Sequence, residues 1–233
     1  MRNLLRPVRD LVYLLYPHLC LACGRNAPPY GQDICTPCKA TLPESNFHHQ
    51  KVNPFTEKFW GRLHLQTGAA LYLFTKKGKV AQLIHNFKYQ GKKEIGTALG
   101  RRYGHALNRA EHFREIDCIV PVPLHWKKLR HRGFNQSEMF ANGLSESMGV
   151  PVIKDGLERL SFTSTQTKKS KLGRLENMEG VFAVKKPKRL EGKHILLVDD
   201  VLTTGSTLEA CGIELLKVPG AKLSMVTIAM AVN

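Results

Sequence analysis

The stretch Ile195-Leu-Leu-Val-Asp-Asp-Val-Leu-Thr-Thr-Gly-Ser-Thr-Leu-Glu-Ala-Cys211 decides the fold of this 233-residue chain. A short apolar run ends on two adjacent carboxylates, Asp199 and Asp200. A turn that carries hydroxyl groups and a glycine follows, and apolar residues then recur at helical spacing. The stretch therefore predicts a buried strand, a polar turn and a helix.

The turn and the start of that helix form a candidate phosphate site. A helix N-terminus offers unpaired N–H donors and a partial positive charge, which together favour an anion. Gly205 lets the backbone approach the anion closely. Further donors are the hydroxyls of Thr204, Ser206 and Thr207. The two carboxylates cannot hold a phosphate but can accept hydrogen bonds from sugar hydroxyls, so the stretch predicts a ribose 5-phosphate pocket.

This pattern resembles the binding signature of type I phosphoribosyltransferases, which hold 5-phosphoribosyl 1-pyrophosphate (PRPP). The alternative is an ordinary buried strand followed by a capped turn and a helix. The acidic pair, the hydroxyl-rich glycine turn and the strand–turn–helix context coincide, and this coincidence favours the PRPP interpretation.

The charge of the chain indicates an anionic partner. The formal net charge is +16, from 35 Lys and Arg residues against 19 Asp and Glu residues. Such a balance is typical of proteins that bind nucleic acid, phosphorylated metabolites or an anionic surface. The alternative is a highly solvated surface without a specific partner.

Four of the six cysteines form a doubled C-x-x-C pattern near the start of the chain. Two such turns supply the four thiolates of a tetrahedral zinc site. One alternative is a pair of disulfides, which suits a secreted protein. The other is a redox C-x-x-C motif, which would not explain two copies of the motif, so we favour structural zinc. With four protein ligands the metal has no open position for catalysis. The predicted ligands are Cys20, Cys23, Cys35 and Cys38.

Four regions are expected along the chain: an N-terminal helix at 1–18, a zinc ribbon at 19–42, a linker at 43–66 and a phosphoribosyltransferase-like domain at 67–233. No segment reaches the ~20 apolar residues of a membrane-spanning helix, and none reads as a signal peptide. We therefore expect a cytoplasmic protein.

Strands alternate with helices in the large domain, which predicts a parallel α/β sheet with ligands beyond the carboxyl ends of its strands. We expect a basic loop at 123–133, and Asn135 should cap the helix that follows it. Short strands are expected at 150–153 and 181–184.

Several motifs together resemble the ComF family of bacterial phosphoribosyltransferase-fold proteins, also called the competence protein F or GntX-like family. They are the doubled C-x-x-C, Asn86-Phe-Lys-Tyr-Gln-Gly91, Ile119-Val-Pro-Val-Pro-Leu-His125 with Arg132-Gly-Phe-Asn-Gln136, and Val198-Asp-Asp-Val-Leu-Thr-Thr-Gly-Ser-Thr207. A looser match begins at Arg159. The resemblance covers nearly the whole chain and implies a type I phosphoribosyltransferase fold with a parallel sheet, preceded by a small four-cysteine zinc ribbon.

The resemblance also implies a role for each part of the signature. The acidic pair would contact the ribose 2- and 3-hydroxyls, and the turn would bind the 5-phosphate. Magnesium would accompany PRPP, because the ion neutralises pyrophosphate. The residues expected to bind PRPP are Asp199, Asp200, Thr203, Thr204, Gly205, Ser206 and Thr207.

A second group of residues is expected to hold the pyrophosphate. The turn at Val122 and Pro123 stands where related amidophosphoribosyltransferases hold pyrophosphate, and Arg130 and Arg132 could clamp its oxygens. The basic segment 161–180 falls where such folds carry a mobile flap. An ordinary long surface loop is an equal alternative for that segment.

The sequence leaves catalysis open. Some purine phosphoribosyltransferases have a carboxylate at the position of Thr203, so a general acid or base is missing here and the catalytic residues are unknown. One hypothesis is Mg-dependent transfer of ribose 5-phosphate to an unidentified nitrogen acceptor. The other is a PRPP-sensing pocket on a DNA-binding module, which the missing carboxylate favours slightly.

The ComF resemblance further implies a role in natural transformation, with single-stranded DNA as a partner and competence helicase or recombination proteins as possible further partners. Lys127 and Lys128 could contact DNA phosphates, and Trp126 could stack on bases. For the nearby Phe134, core packing is the preferred interpretation.

Overall fold

The computed structural model describes residues 19–160 and 180–232. The predicted helix at 1–18 and nearly all of the predicted flap at 161–180 lie outside the described residues. The α-helices are α1 (Thr36–Thr41), α2 (Pro54–Glu57), α3 (Lys79–Tyr89), α4 (Glu94–Arg109), α5 (Trp126–Arg132), α6 (Gln136–Met148) and α7 (Ser206–Leu216). The strands are β1 (Thr67–Phe74), β2 (Cys118–Pro121), β3 (Leu157–Arg159), β4 (Phe182–Val184), β5 (His194–Leu202) and β6 (Lys222–Ala231). Short 3-10 turns occupy Phe47–His49, Glu111–Phe113 and Pro187–Arg189.

The main sheet has four parallel strands in the order β1-β6-β5-β2, which confirms the predicted parallel α/β architecture. In the register of β2 and β5, Pro121 lies beside Val198. The N–H of Val122 continues the ladder by donating to the carbonyl of Val198, at 2.9 Å. The carboxyl ends of β2 and β5 therefore meet, and this brings the Val122 turn beside the acidic pair.

Both faces of the sheet are covered, as expected for parallel strands. On β5, Leu196 and Val198 belong to one core with α3, α4 and α6, whereas Ile195 and Leu197 belong to a second core with α7. All four side chains are fully buried. The alternation explains why the sequence of β5 is a continuous apolar run, because neither face of the strand reaches solvent.

Two sequence predictions in this region were wrong. The expected basic loop at 123–133 contains the helix α5, which His125 begins by accepting a hydrogen bond from the N–H of Lys127 and Gly133 ends in a left-handed conformation. The expected strand at 150–153 makes only a single bridge, between Ile119 and Val152. Pro151 lacks an N–H donor, so this segment cannot extend a regular ladder.

The predicted strand at 181–184 exists but lies outside the main parallel sheet. As β4 it pairs with β3 in a separate antiparallel sheet of two strands, with Phe182 beside Arg159. The predicted cap is confirmed, because Asn135 accepts a hydrogen bond from the N–H of Ser137 at the start of α6. Phe134 is buried and its ring contacts Phe87, as expected for a core residue.

The segment expected to be a linker packs against the sheet. Asn53 caps α2, and its amide also donates to the carbonyl of Gly68 on β1 at 2.9 Å. Phe55 and Phe59 are fully buried in the core beside α7. Residues 43–66 therefore pack on the sheet beside the start of β1. The boundaries of the four regions expected along the chain stay predictions.

The helices α4 and α6 cross closely because glycines lie at their contact. A Cβ atom on Gly100 would overlap the carbonyl of Phe140, and one on Gly143 would overlap the carbonyl of Thr97. This crossing holds the N-terminal end of α6 against the carboxyl end of β5.

Among the described residues, no helix is long and apolar enough to span a bilayer.

We expect Gly143→Ala to destabilise the protein by about 1–3 kcal/mol or more, because the added methyl forces the two helices apart. Ser145→Ala, two residues along the same helix, should change the free energy of unfolding by no more than about 0.5 kcal/mol. Urea denaturation of both variants is the measurement. Equal stability of Gly143→Ala and the parent would contradict the close crossing.

Candidate functional site

A polar cavity of about 150 Å³ lies at the carboxyl ends of β2 and β5. The expected site residues that line it are Val122, Pro123, Lys128, Arg132, Asp199, Asp200 and Thr207. Residues that were not predicted as site residues also line it: Lys88, Leu124, Asn135, Gln136, Ser137 and Arg159. Arg159 belongs to the looser family match, and Lys88 belongs to the motif Asn86-Phe-Lys-Tyr-Gln-Gly91, for which the sequence predicts no role.

The acidic pair is held by three polar contacts. Asp199 accepts a hydrogen bond from the hydroxyl of Ser137 on α6 at 2.8 Å and another from the N–H of Asp200 at 2.8 Å. The Oδ2 atom of Asp200 lies 2.8 Å from the Nζ atom of Lys88 on α3. The side chains of Lys88 and Asp200 are 22% and 14% exposed, so this ion pair is partly shielded from water.

Burial raises the pKa of Asp199 to about 7, and the neighbouring charge of Asp200 acts in the same direction. The two hydrogen bonds and the charge of Lys88 oppose the rise. Neighbouring carboxylates in a partly dry site resist carrying two negative charges at once. Asp199 therefore keeps its proton to a higher pH than an exposed aspartate does.

The expected phosphate turn leads into α7. Gly205 has a φ of +87°, a left-handed conformation that favours glycine, and the ring of Phe59 packs beneath it. Thr203, Thr204 and Ser206 are exposed. The hydroxyls of the last two lie 3.1 Å apart. The turn thus presents hydroxyls at the start of an 11-residue helix, an arrangement suited to an anion.

The cavity has cations on several sides. Lys88 reaches it from α3, Lys128 and Arg132 from α5, and Arg159 from β3. The guanidinium of Arg132 donates to the side-chain oxygen of Gln136 at 3.0 Å, which orients it along the wall. Arg130, expected as a second pyrophosphate clamp, lies outside the cavity lining and is exposed.

The surface beside the cavity combines aromatic and basic side chains. Trp126 is 53% exposed, and the ammonium of Lys127 lies 5.4 Å from the centre of its ring. Tyr89 is equally exposed, and the guanidinium of Arg132 lies 5.5 Å from its ring centre. We call this the α5 surface: it comprises Tyr89, Trp126, Lys127, Lys128, His131 and Arg132.

The four predicted metal ligands lie together. The sulfur atoms of Cys20, Cys23, Cys35 and Cys38 are all within 4.8 Å of one another, and none is in a disulfide. The sulfur atoms of Cys23 and Cys35 are 4.0 Å apart. Tetrahedral zinc with Zn–S bonds of about 2.3 Å places sulfurs roughly 3.8 Å apart. The cluster therefore fits a metal ion such as zinc.

Backbone donors around the cluster favour thiolates. The N–H of Cys35 donates to the sulfur of Cys20 at 3.3 Å. Backbone N–H groups of Asn26 and Arg25 lower the pKa of Cys23 to about 6, whereas burial raises the pKa of Cys38. Around a metal bound at the four cysteines, these N–H groups would lie in the second coordination layer and orient the ligands.

The ribbon is joined to the large domain rather than appended to it. Cys20, Cys35 and Cys38 share one continuous core with Leu83 and Leu99 of α3 and α4. The side-chain amide of Asn86 on α3 also donates to the carbonyl of Leu21, between the first two cysteines, at 2.9 Å. Disruption of the ribbon therefore exposes the face of α3.

Comparison with known proteins identifies the family. A family model described as phosphoribosyl transferase domain matches residues 135–233. Competence protein F of Haemophilus influenzae is 32% identical over 130 residues, which cover 54% of this chain and 57% of that protein. DNA utilization protein YhgH of Escherichia coli (strain K12) is 31% identical over 210 residues, covering 84% of this chain and 89% of that protein. The chain belongs to the ComF family.

A further ComF relative, competence protein ComFC of Bacillus subtilis, is 28% identical over 194 residues, covering 82% of this chain and 68% of that protein. A solved structure titled as the allosteric regulatory enzyme of purine biosynthesis matches with a TM-score of 0.38 and 19% identity, over 57% of this chain and 25% of that chain. Glutamine PRPP amidotransferase from B. subtilis matches with a TM-score of 0.37 and 19% identity, over 59% of this chain and 26% of that chain. The phosphoribosyl transferase domain match and the four-stranded parallel sheet support the fold assignment.

We expect one zinc ion per chain at the four cysteines. Replacing Cys38 with Ser should release the metal and lower the melting temperature, because the ligand is buried in the core shared with α3. Elemental analysis and thermal melts are the measurements, and Cys211→Ser, remote from the cluster, is the control for metal content. Protein purified without metal, or with disulfides at these positions, would contradict the site.

Proposed function

We propose that this ComF-family protein binds PRPP together with Mg²⁺ in the cavity at the ends of β2 and β5. The observation that carries the proposal is the meeting of three chemistries at one sheet edge: the acidic pair Asp199 and Asp200, the cations around it, and the Gly205 turn at the start of α7. Ribose hydroxyls, pyrophosphate and 5-phosphate need those three partners.

The residues of the cavity support a specific division of labour. The acidic pair would accept hydrogen bonds from the ribose hydroxyls, as the family signature implies. Lys128 and Arg132 lie beside the Pro123 turn, where they would bind pyrophosphate oxygens. Thr207 lines the cavity while the rest of the turn extends beyond it, so the 5-phosphate would lie at the outer end. Bound Mg²⁺ would neutralise part of the pyrophosphate charge.

The chemistry of turnover is a second candidate function. Thr203 is exposed and carries no acid or base at the position where some relatives of the fold have a carboxylate. A PRPP-binding sensor therefore fits the residues better than an active transferase. A Mg-dependent transferase acting on a nitrogen acceptor is the alternative, and pyrophosphate release from PRPP against a panel of acceptors distinguishes the two.

We expect the double variant Asp199→Asn, Asp200→Asn to weaken binding of Mg-PRPP by about 1–3 kcal/mol per lost charge-assisted hydrogen bond, with little loss of fold. Gly205→Val should also weaken Mg-PRPP binding, and it should destabilise the fold as well because of the positive φ and the Phe59 ring beneath it. Calorimetric titration with PRPP and Mg²⁺ is the measurement.

The matched control is Glu191→Gln, which removes an exposed carboxylate just before the other end of β5 and should leave PRPP binding unchanged. If the parent protein does not bind PRPP in this titration, the protein resembles phosphoribosyltransferases in its fold but not in its ligand. PRPP binding without pyrophosphate release would favour the sensor.

We further propose that the protein handles single-stranded DNA in natural competence, in the cytoplasm and alongside helicase or recombination proteins. The names of its relatives, competence protein F and DNA utilization protein, supply the biological setting. The α5 surface supports the DNA role, because exposed aromatic rings beside cations suit stacked bases and a phosphate backbone. The net charge of +16 agrees with a polyanionic partner.

We expect single-stranded DNA binding to weaken steeply with salt, since each phosphate contact releases counterions. Charge reversal of Lys127 and Lys128 should weaken binding more than reversal of Lys76 and Lys77, two exposed lysines away from the α5 surface. Trp126→Ala should cost about 1–3 kcal/mol if a base stacks on the indole. Fluorescence anisotropy over a salt series is the measurement, and salt-independent affinity or no binding at low salt would contradict the DNA role.

A further inference from the structure

The motif Asn86-Phe-Lys-Tyr-Gln-Gly91 connects the ribbon to the cavity through three successive side chains. Asn86 donates to the carbonyl of Leu21 in the first C-x-x-C turn at 2.9 Å. Phe87 is fully buried in the core that includes the ribbon cysteines. Lys88 then lines the cavity and pairs with Asp200 at 2.8 Å. A single turn of α3 thus contacts the metal cluster's loop, the core and the ligand site.

We propose that Lys88 sets the charge of the acidic pair, and that the ribbon holds Lys88 in place through Asn86. The role of this charge in ligand binding rests on the proposed function, because it concerns PRPP. The charge effect itself is a property of the protein without ligand, so it is tested separately.

The charged and polar groups around the pair come from every element packed against it. Lys88 contacts Asp200 directly, and Ser137 on α6 donates to Asp199. Two other cations of the cavity have partners of their own, since Arg132 contacts a glutamine and Arg159 lies 5.4 Å from the ring of Phe182. The groups that face the pair are Lys88, Lys128, Arg132, Ser137, Arg159, Thr207 and, on α7, Cys211.

Lys88 is the cation in ion-pair contact with the acidic pair among the described residues. Its charge favours the ionised form of Asp199. Without it, Asp199 would retain its proton to a higher pH. A protonated carboxyl has less acceptor capacity, so the pair would hold ribose hydroxyls less well near neutral pH.

The direction of the pH effect follows from the contacts of Asp199. Its pKa is already raised to about 7, and the charge of Lys88 lowers it, so removal of Lys88 raises it further. A folded-state pKa above the unfolded value makes stability fall as pH rises from about 4 towards the folded pKa. In Lys88→Met this fall should continue to a higher pH than in the parent protein.

The position of Lys88 depends on the end of α3. Lysine has a flexible side chain, so its placement over Asp200 requires a backbone held within reach. The hydrogen bond from Asn86 to the ribbon and the burial of Phe87 supply that restraint immediately before Lys88. Asn86 is therefore a positioning residue, and loss of its ribbon contact should act on the acidic pair without touching it.

The first test is a carbon-13 NMR titration of the aspartate carboxyls in the absence of ligand. Lys88→Met should move the midpoint of the acidic pair upward, and Lys88→Arg should keep it near the parent value. Lys76→Met, which removes an exposed lysine before α3, should leave it unchanged. An unchanged midpoint in Lys88→Met would overturn the charge role.

The second test concerns the ribbon. Asn86→Ser should shift the same midpoint upward, but by less than Lys88→Met does. The control is Gln90→Ala, because the side-chain amide of Gln90 donates to Asn86 and does not contact the ribbon, so its loss should shift the midpoint little. Circular dichroism checks that each variant is folded, and Asn86→Ala replaces the Ser variant if that variant unfolds. A folded Asn86 variant with the parent midpoint would overturn the positioning role.

The third test uses calorimetry with Mg-PRPP at pH 7. Lys88→Met should weaken binding roughly tenfold, as expected for one lost charge-assisted interaction, and Lys88→Arg should recover part of the affinity. Raising the pH should restore part of the loss in Lys88→Met. Equal affinity of Lys88→Met and the parent would overturn the ligand role of Lys88, whereas a parent protein without PRPP response would overturn the proposed function and leave the NMR tests to decide the charge role.

Discussion

The site depends on hydrogen bonds and cations that offset the burial of two carboxylates at the end of the buried strand β5. β5 lies between β2 and β6, and its apolar run packs against helices on both faces. Asp199 and Asp200 follow that run directly and remain partly buried. Carboxylates in such a place require hydrogen bonds and cations from outside the strand. Lys88 from α3 and Ser137 from α6 supply them, so the site is assembled from distant parts of the chain.

The same requirement explains why the cysteine ribbon is integrated into the domain. A small metal-bound loop has little core of its own and depends on its ligands for stability. Here the buried Cys20, Cys35 and Cys38 pack into the core formed by α3 and α4. The ribbon therefore gains apolar contacts, and α3 is held at Asn86, in the same turn from which Lys88 reaches the acidic pair.

Local patterns predicted the parts of the fold that local chemistry determines. The spacing of the cysteines predicted their cluster, and the run before Asp199 predicted a buried parallel strand. The α5 helix was missed because Pro121 and Pro123 precede a dense basic run, and its start depends on the His125 cap. Lys88 lies more than 100 residues before the acidic pair, so only the fold brings them together. The antiparallel pairing of β4 with β3 likewise depends on tertiary contacts that no periodicity records.

The central claim is that one ligand site is built from β5, the β2–α5 turn and the end of α3. Hydrogen–deuterium exchange of the intact protein, with and without PRPP and Mg²⁺, tests it most directly because it reports each segment separately. The account predicts slower exchange of backbone amides at 199–209 and 122–128, together with slower exchange at 86–91. Protection confined to other segments, or no protection at saturating PRPP, would contradict it.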